Sequence, residues 1–471
     1  MRSVRFGLAL SCVVIITVAV AGMFGAADFV GNLWLVAGTA WVVAMTVRWA
    51  RRRRLLHSWR AIGLGLAVTV LTDRGRWWAL CSSVGLDRTS DRWTSGTGRG
   101  STPTRFQVFP SVGPITRAAF GATVLVGGVD GQTLTEWERA APALASALRV
   151  PMVTVTEPRP GAFALALRIR DPLASPVLVR NPIAMSETDW TLPLGVDENG
   201  QIICSSFANV SGVLVGGTPG SGKSAWLGFA LAGFAARENV QIAIVDGRGG
   251  HDHDALAPRC WRYVGGTEAH DLDVVLDTLR AVRTLSTERI SHSIGLYGHH
   301  NLWDVGPSLR HPIIFLVVDE FQAYMPSQFT TKADKERANE IVSIVTDLVK
   351  RSRAAGCVSF LLTQRPTTDS IPSALRDNCG NRVCFSVMNR DSAEAVLGSY
   401  TVESDVSPIR QPTGVGVAMV NGNLVRFRAP YLGPELLRES VIPHMDLVRD
   451  PLDLLSASLA TPRDGDGFDY E

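Results

Sequence analysis

Residues 213–224 read Val213-Leu214-Val215-Gly216-Gly217-Thr218-Pro219-Gly220-Ser221-Gly222-Lys223-Ser224, and an apolar stretch suited to a helix, Ala225–Ala236, follows. This order of strand, glycine-rich loop and helix fits the G-x-x-x-x-G-K-[ST] pattern. In that pattern the glycines let backbone N–H groups face phosphate oxygens, and the helix N-terminus favours their negative charge. The sequence therefore predicts a phosphate-binding loop (P-loop) for ATP at Gly217–Ser224, in an α/β fold, with Lys223 reaching the β- and γ-phosphates.

A carboxylate pair ends a second apolar run, which reads Ile313-Ile314-Phe315-Leu316-Val317-Val318-Asp319-Glu320. A P-loop site needs one carboxylate to hold Mg²⁺ through water and another to polarise the attacking water. We therefore assign Asp319, together with Ser224, to Mg²⁺, and Glu320 to the general base. The alternative is that the two acidic residues only cap the next helix.

A third buried strand is predicted at Ser359–Thr363, directly before Gln364. A polar side chain in this place can sense the γ-phosphate, so Gln364 is a sensor candidate, and a strand-terminating turn is the alternative. From Trp190 onward, strand-like apolar runs alternate with helical segments, which is typical of a parallel sheet with crossover helices. The ATPase domain is expected to extend over residues 190–434.

Charge is nearly balanced, with a formal net charge of +2, so any contact with nucleic acid must come from local basic residues. Residues 328–337 carry Lys332, Lys335 and Arg337, which makes them a candidate DNA-facing loop, and a solvated helix start is the alternative. The seven cysteines form no C-x-x-C pair, which indicates reduced thiols. The run His251-Asp252-His253-Asp254 is interpreted as a flexible polar loop rather than a metal site.

The N-terminal region, residues 1–60, is predicted to form a two-helix transmembrane hairpin. Two apolar runs, Phe6–Ala27 and Phe29–Val47, are each about long enough to cross a bilayer as a helix. Arginines flank both ends of this hairpin, so the positive-inside rule places both ends in the cytoplasm. The expected location is therefore a bacterial cell membrane with two spans, and a cleaved signal peptide is the alternative.

Three further segments complete the expected organisation. Residues 61–104 are predicted to be an interfacial segment followed by an exposed linker, because the apolar run Ala61–Leu71 is too short to span a bilayer and 87–104 is rich in Gly, Ser, Thr and Arg. Residues 105–189 are predicted to form a small α+β domain with one helix over Leu134–Leu148. Residues 435–471 are acidic and are predicted to be a disordered tail.

Several motifs, in order, resemble the FtsK/SpoIIIE family of DNA translocases from about Gly113 to Leu432. The matching pieces are Gly217–Ser224, Val317–Phe321, Leu348–Gly356, Thr363–Pro366, Asn381–Val383 and Asp391-Ser392. The resemblance implies a RecA-like motor that assembles as a homo-oligomer, a hexameric ring, around double-stranded DNA. It also implies ATP sites between subunits, each completed by an arginine of the neighbour, for which Arg382 is the first candidate and Arg353 the reserve. A surface salt bridge is the alternative role for either arginine.

The chain departs from the chromosome pumps of that family in two respects. Residues 435–471 are too few and too acidic for the winged-helix module that reads DNA polarity, so sequence-directed loading is expected to need another protein. A single hairpin also takes the place of a long multi-span membrane region, as in the TraB-like and TraSA-like transfer proteins of conjugative plasmids and integrating elements. The expected function is thus a membrane-anchored, ATP-driven translocase of double-stranded DNA for conjugative or mobile-element transfer. The alternative is a type VII-like protein-secretion ATPase, which shares the fold.

Overall fold

The computed structural model describes residues 58–93, 103–118, 120–180, 189–367, 370–398 and 406–460. They form two compact units, which divide between Arg170 and Asp171. The hairpin predicted for residues 1–60 lies almost wholly outside the described residues. Within those described ranges, no helix is both long enough and apolar enough to cross a bilayer.

The described residues of the first unit contain a four-stranded antiparallel sheet packed with helices. Its elements are α1 (Gly65–Thr72), α2 (Arg74–Ser83), β1 (Arg88–Trp93), β2 (Pro103–Val108), β3 (Ser111–Ala118), β4 (Gly121–Gly127), α3 (Leu134–Leu148), β5 (Met152–Arg159) and β6 (Ala162–Arg168). The sheet has the order β3-β4-β6-β5, and β1 pairs separately with β2. Helix α3 has the bounds predicted from sequence, and it begins with a capping box between Thr133 and Glu136.

The interfacial segment and linker predicted for residues 61–104 are corrected by this unit. Helices α1 and α2 place Val68 and Trp77 in the same apolar core as Trp137 of α3, together with Leu64, which precedes α1. Part of the expected linker forms the antiparallel pair of β1 and β2. A two-stranded ribbon is held by backbone hydrogen bonds, so its polar sequence shows no hydrophobic period from which a strand could be predicted.

The second unit contains a ten-stranded mixed sheet with helices on both faces. Its strands are β7 (Val177–Leu178), β8 (Thr191–Asp197), β9 (Ile202–Ser206), β10 (Gly212–Gly216), β11 (Val240–Asp246), β12 (Cys260–Gly265), β13 (Ile313–Asp319), β14 (Cys357–Thr363), β15 (Asn381–Phe385), β16 (Val415–Val420), β17 (Asn423–Arg428) and β18 (Pro430–Tyr431). Its α-helices are α4 (Lys223–Ala232), α5 (Ala269–Ser291), α6 (Ser293–Tyr297), α7 (Leu302–Val305), α8 (Lys332–Arg351), α9 (Ser373–Arg376), α10 (Arg390–Leu397), α11 (Pro434–Val441) and α12 (Pro451–Ala460).

The large sheet has the order β12-β11-β13-β14-β10-β15-β16-β17-β8-β9, and the strands from β12 to β15 are parallel. Every residue of β10, β11, β13 and β14 is buried, as expected for apolar strands covered on both faces. Leu214 packs in one core with Leu276 and Ile344, whereas its neighbour Val213 packs in the opposite core with Trp226. The predicted parallel sheet with crossover helices is confirmed, and it brings the ends of β10, β11, β13 and β14 to one edge.

Residues 435–460 are largely helical, so the prediction of a disordered tail is wrong for that part, and the remainder of the predicted tail, residues 461–471, lies outside the described residues. Helix α11 is followed by a 3-10 helix, Ile442–Leu447, and by α12. The Gln241 side chain of β11 donates a hydrogen bond to the Leu447 carbonyl (2.9 Å) and accepts one from the Arg449 N–H (3.1 Å). The order of this segment could not be predicted from its acidic composition, because only a few of its side chains, such as Val441 and Leu455, enter the core.

The border between the two units also differs from the expected division at residues 189 and 190. Strand β7 pairs in parallel with β18 of the second unit. In this pair Val177 lies opposite Pro430, and Leu178 lies opposite Tyr431. The segment that begins at Asp171 therefore belongs to the second unit. Two residues of pairing leave too short a pattern to predict from sequence.

Candidate nucleotide site

The P-loop connects the end of β10 to the start of α4. Gly217 has φ of +151° and Gly222 has φ of +112°, a region of backbone conformation that favours glycine. A Cβ atom on Gly217 would also lie 2.7 Å from the Ser221 Oγ and 2.9 Å from the Phe385 Cβ. The loop therefore depends on glycine to curl at the N-terminus of α4, where backbone N–H groups and the helix dipole attract anions.

Lys223 is the first residue of α4, and its side chain is buried inside the loop. Its Nζ donates hydrogen bonds to the carbonyl oxygens of Gly217 (2.7 Å) and Thr218 (3.1 Å). Burial lowers the pKa of Lys223 to about 8, although the nearby carboxylates of Glu320 and Asp319 oppose this effect. The Lys223 ammonium thus contacts backbone carbonyls in the ligand-free loop, and rotation of the side chain would bring it to phosphate oxygens.

Asp319 ends β13 and is almost fully buried. Its Oδ2 lies 2.7 Å from the Nε2 of His253, and its Oδ1 accepts the N–H of Glu320 (2.8 Å). Burial opposes ionisation, but the hydrogen bond from His253 and the charges of His253 and Lys223 outweigh it and lower the pKa of Asp319. Asp319 is therefore an ionised carboxylate with a fixed orientation.

The residues present fit a nucleotide with Mg²⁺. Ser224 and Asp319 supply hydroxyl and carboxylate oxygens, which are the donors that Mg²⁺ prefers. The Oγ of Ser221, inside the P-loop, is buried and has no hydrogen-bond partner among the described residues. A buried polar atom in this state is costly, and a phosphate oxygen would provide its partner.

Glu320 and Gln364 lie side by side at the ends of neighbouring strands. Glu320 has φ of +50°, a strained conformation for a residue other than glycine, and its carboxylate accepts hydrogen bonds from the Gln322 side chain and from the Gln364 N–H (3.2 Å). The Gln364 Oε1 in turn accepts a hydrogen bond from Arg248 (3.3 Å). The proposed base and the proposed sensor are thus linked by one hydrogen-bond chain.

Arg248 and His253 belong to a loop that the sequence did not assign to the site. Strand β11 ends at Asp246, which pairs with Asp319 in the register of β11 and β13. The Asp246 carboxylate accepts the N–H groups of Arg248 (2.9 Å) and Gly250 (2.9 Å), so it folds the loop back over the strand ends. The folded loop thereby places the Arg248 guanidinium beside Gln364 and the His253 imidazole beside Asp319.

The interpretation of His251-Asp252-His253-Asp254 as a flexible polar loop is wrong for His253, whose side chain is buried. The side chain of His251 is 93% exposed, whereas that of His253 is fully buried. Burial opposes a charge on His253, but its hydrogen bond to Asp319 and the nearby Asp319 and Asp246 carboxylates outweigh burial and raise its pKa. No local sequence signal separates these two histidines, because only the path of the loop decides which one faces Asp319.

A cavity of about 840 Å³ opens beside the P-loop, a size that suits a small-molecule ligand. Its lining includes Lys223, Ser224, Arg248, Gln364, Tyr431, Pro434, Leu437 and Arg438. The first turns of α11, which were expected to be disordered, therefore form part of its wall. A larger cavity of about 940 Å³ in the first unit is lined mainly by apolar and aromatic side chains, such as Trp78 and Phe109, and it contains none of the predicted site residues.

Neither candidate arginine lines the cavity beside the P-loop of its own chain. Arg382, in β15, donates hydrogen bonds to the carbonyl oxygens of Cys379 (3.2 Å) and Leu397 (3.3 Å). Arg353 is exposed in a 3-10 helix that precedes β14, and therefore lies at the edge of the sheet opposite to the P-loop. Arg353 is thus the more accessible of the two for a second chain.

The candidate DNA-facing residues lie at the start of helix α8 rather than in a loop. Lys332 begins the helix, Thr331 caps it by accepting the Asp334 N–H (3.1 Å), and Arg337 forms a salt bridge with Asp273 (2.7 Å). The alternative of a solvated helix start therefore describes the structure. Lys332 and Lys335 are exposed and remain candidates for contact with phosphates.

Comparisons with known proteins bear on both units. Residues 44–169 match the family described as "Actinomycete conjugal transfer protein N-terminal domain". The chain is 25% identical over 295 residues to the DNA translocase FtsK of Vibrio parahaemolyticus, a match that covers 55% of this chain and 28% of that protein. It is 23% identical over 370 residues to the DNA translocase FtsK of Mycobacterium tuberculosis, covering 73% of this chain and 40% of that protein. The chain thus spans well under half the length of these two relatives.

Two solved structures show weaker likeness. The pCW3 conjugation coupling protein TcpA, in a monomer form with ATPγS, matches 74% of this chain and 94% of that chain with a TM-score of 0.49 and 17% identity. The cytoplasmic domain of the type VII secretion ATPase EccC from Thermomonospora curvata matches 60% of this chain and 34% of that chain with a TM-score of 0.45 and 19% identity. Both TM-scores lie below 0.5.

The sequence matches confirm the resemblance predicted from the ordered motifs, which include the P-loop, the Asp319-Glu320 pair and Gln364. The chain is similar to proteins named DNA translocase FtsK, and its residues 44–169 match the N-terminal domain of actinomycete conjugal transfer proteins.

Proposed function

We propose that this chain is a membrane-anchored, ATP-driven translocase of double-stranded DNA that acts in conjugative or mobile-element DNA transfer. The observation that carries the proposal is the similarity, over 55% and 73% of the chain, to two proteins named DNA translocase FtsK. The match of residues 44–169 to a domain of actinomycete conjugal transfer proteins supports the role in transfer.

The site geometry supports ATP hydrolysis as the source of energy. In this proposal the P-loop amides and Lys223 bind the triphosphate, and Ser224 and Asp319 hold Mg²⁺, which supplies neutralising charge at the phosphates. Glu320, which is held in place by Gln364 and Gln322, orients and deprotonates the attacking water. Because Gln364 contacts both Glu320 and Arg248, loss of the γ-phosphate can be relayed from the base to the loop after β11.

Several parts of the proposal rest on the family resemblance or on the sequence of residues 1–57. They are a hexameric ring, an arginine contributed by the neighbouring subunit, a two-span membrane anchor with cytoplasmic ends, and a separate protein that recognises the DNA. The two apolar runs in residues 6–47 support the anchor because each has about the length of a membrane helix.

The choice between Arg382 and Arg353 can be tested by mixing inactive variants. A subunit with Lys223→Ala lacks the P-loop lysine, and a subunit with Arg353→Ala or Arg382→Ala lacks one arginine. If the arginine acts on the neighbour's ATP, mixed rings contain some complete sites and regain hydrolysis, whereas each variant alone has none. Recovery with one arginine variant identifies the donor, and no recovery with either contradicts a site shared between subunits.

The proposed function is tested by ATP hydrolysis of the full chain, purified in detergent, with and without long double-stranded DNA. Single-stranded DNA and candidate secreted peptides serve as controls. We expect strong stimulation by duplex DNA that is lost in Lys223→Ala. Indifference to duplex DNA, together with stimulation by a peptide, would favour the secretion ATPase instead.

A further inference from the structure

His253 lies in a rigid setting although its loop is polar. Its carbonyl oxygen accepts the N–H of Leu256 (2.8 Å), and Leu256 is buried in the apolar core on one face of the sheet. On the other side, the Asp246 carboxylate binds the N–H groups of Arg248 and Gly250. The loop is therefore held on both sides of His253, independently of the contact between its imidazole and Asp319.

The contact between His253 and Asp319 has a defined direction. An ionised carboxylate can only accept hydrogen bonds, so the Nε2 of His253 carries the hydrogen that it donates to Oδ2 at 2.7 Å. The other oxygen, Oδ1, accepts the N–H of Glu320. Both oxygens are thus held by one donor each, and the carboxylate plane is fixed while a lone pair on each oxygen stays available.

A purely structural role explains this arrangement poorly. The Nδ1 of His253 is buried and has no hydrogen-bond partner among the described residues. An unpaired buried nitrogen destabilises the fold, and an apolar side chain would fill the same space without that cost. A histidine at this position must therefore have a benefit that offsets the cost of its unpaired Nδ1. That benefit is the hydrogen bond from Nε2 to the Asp319 carboxylate, which is assigned to Mg²⁺.

We propose that His253 is a positioning residue that orients the Asp319 carboxylate toward the water shell of Mg²⁺ and thereby sets the magnesium affinity of the nucleotide site. The inference rests on the proposed ATP site, but not on DNA as the substrate. Hydrogen bonds of this kind, from a second side chain to a residue that serves a metal, typically change metal affinity about 10- to 100-fold when they are removed.

The test uses two variants that differ by one methylene. His253→Gln places an amide N–H near the position of Nε2 and can still reach Asp319, whereas the amide of His253→Asn is too short. The full chain, purified in detergent, is titrated with a fluorescent non-hydrolysable ATP analogue at increasing Mg²⁺ concentrations, and thermal unfolding is recorded in parallel. His300→Ala is the matched control because His300 is an exposed histidine of the same unit, outside the site.

We expect His253→Asn to raise the half-saturating Mg²⁺ concentration about 10-fold, with analogue binding in the absence of Mg²⁺ unchanged. His253→Gln should stay close to the unmodified protein, as should His300→Ala. In an Asp319→Asn background, His253→Asn should have no additional effect on Mg²⁺ affinity, since His253 acts only through that carboxylate.

Two results would overturn the inference alone. One is an unchanged Mg²⁺ dependence in a folded His253→Asn variant. The other is equal impairment of the Asn and Gln variants with a lowered unfolding temperature, which would make His253 a structural residue. If the unmodified chain itself shows no Mg²⁺-dependent binding, the assigned ATP site is wrong and this inference fails with it, whatever the role of DNA.

Discussion

Replacement of Lys223 by methionine is expected to stabilise the ligand-free protein while it abolishes nucleotide binding. Burial lowers the pKa of Lys223 from 10.5 to about 8. Since one pKa unit corresponds to about 1.4 kcal/mol, the buried ammonium lowers the free energy of unfolding by on the order of 3 kcal/mol. The two hydrogen bonds to Gly217 and Thr218 would be lost at about 1 kcal/mol each, which leaves a net stabilisation of about 1 kcal/mol.

The same pKa predicts the pH dependence of the effect. Between pH of about 8 and 10.5 the unfolded chain keeps the Lys223 proton while the folded chain loses it. Stability rises with pH wherever the unfolded state binds more protons, so the unmodified protein should gain stability through this window relative to Lys223→Met. The advantage of the methionine variant should therefore shrink or reverse as pH increases.

Urea unfolding of both proteins without nucleotide, at pH of about 7 and about 9.5, measures these differences. We expect a higher urea midpoint for Lys223→Met than for the unmodified protein at the lower pH, and a smaller difference at the higher pH. A variant that is clearly less stable at pH of about 7, or a difference that does not change with pH, would show that burial of the ammonium does not destabilise the ligand-free protein. In that case the ammonium would be a stabilising part of the ligand-free loop.

Three further predictions concern the base, the P-loop strand and the DNA contact. Glu320→Gln should keep Mg²⁺-dependent nucleotide binding but lower kcat at least about 100-fold, and retained turnover would contradict its role as base. Gly216→Ala places a Cβ 2.2 Å from the Val396 Cγ2. It should lower the free energy of unfolding by about 1–3 kcal/mol in urea titrations, and part of this loss should be recovered by Val396→Ala. Neutralising Lys332 and Lys335 together should reduce the slope of log affinity for DNA against log salt by up to about 2, and an unchanged slope removes both from the contact surface.

The central part of the site could be predicted from sequence because its residues follow buried strands. Gly217, Asp319 and Gln364 each come directly after an apolar run, and parallel strands place such positions at one edge of the sheet. The pattern of apolar runs therefore fixes which residues meet, even though they are far apart in the chain. Helix α3 was equally predictable, since its apolar face and its capping box are both local features.

The remaining features depend on contacts that no local pattern records. His253 differs from His251 only in the path of the loop, which is set by the Asp246 carboxylate and by the burial of Leu256. Residues 434–460 are ordered because Gln241, in a strand more than 200 positions before its partners, binds Leu447 and Arg449. In both cases a buried polar side chain of the sheet, Asp246 or Gln241, holds a polar segment in place by hydrogen bonds. Composition alone therefore predicts a flexible or disordered segment where the chain is ordered.

Displacement of a triplex-forming oligonucleotide from linear double-stranded DNA is the measurement that tests translocation most directly. The full chain should displace the oligonucleotide when ATP is hydrolysed, and it should fail with a non-hydrolysable analogue or after Glu320→Gln. Hydrolysis of ATP by the unmodified chain on the same DNA, without any displacement, would contradict the proposal that this protein moves along duplex DNA.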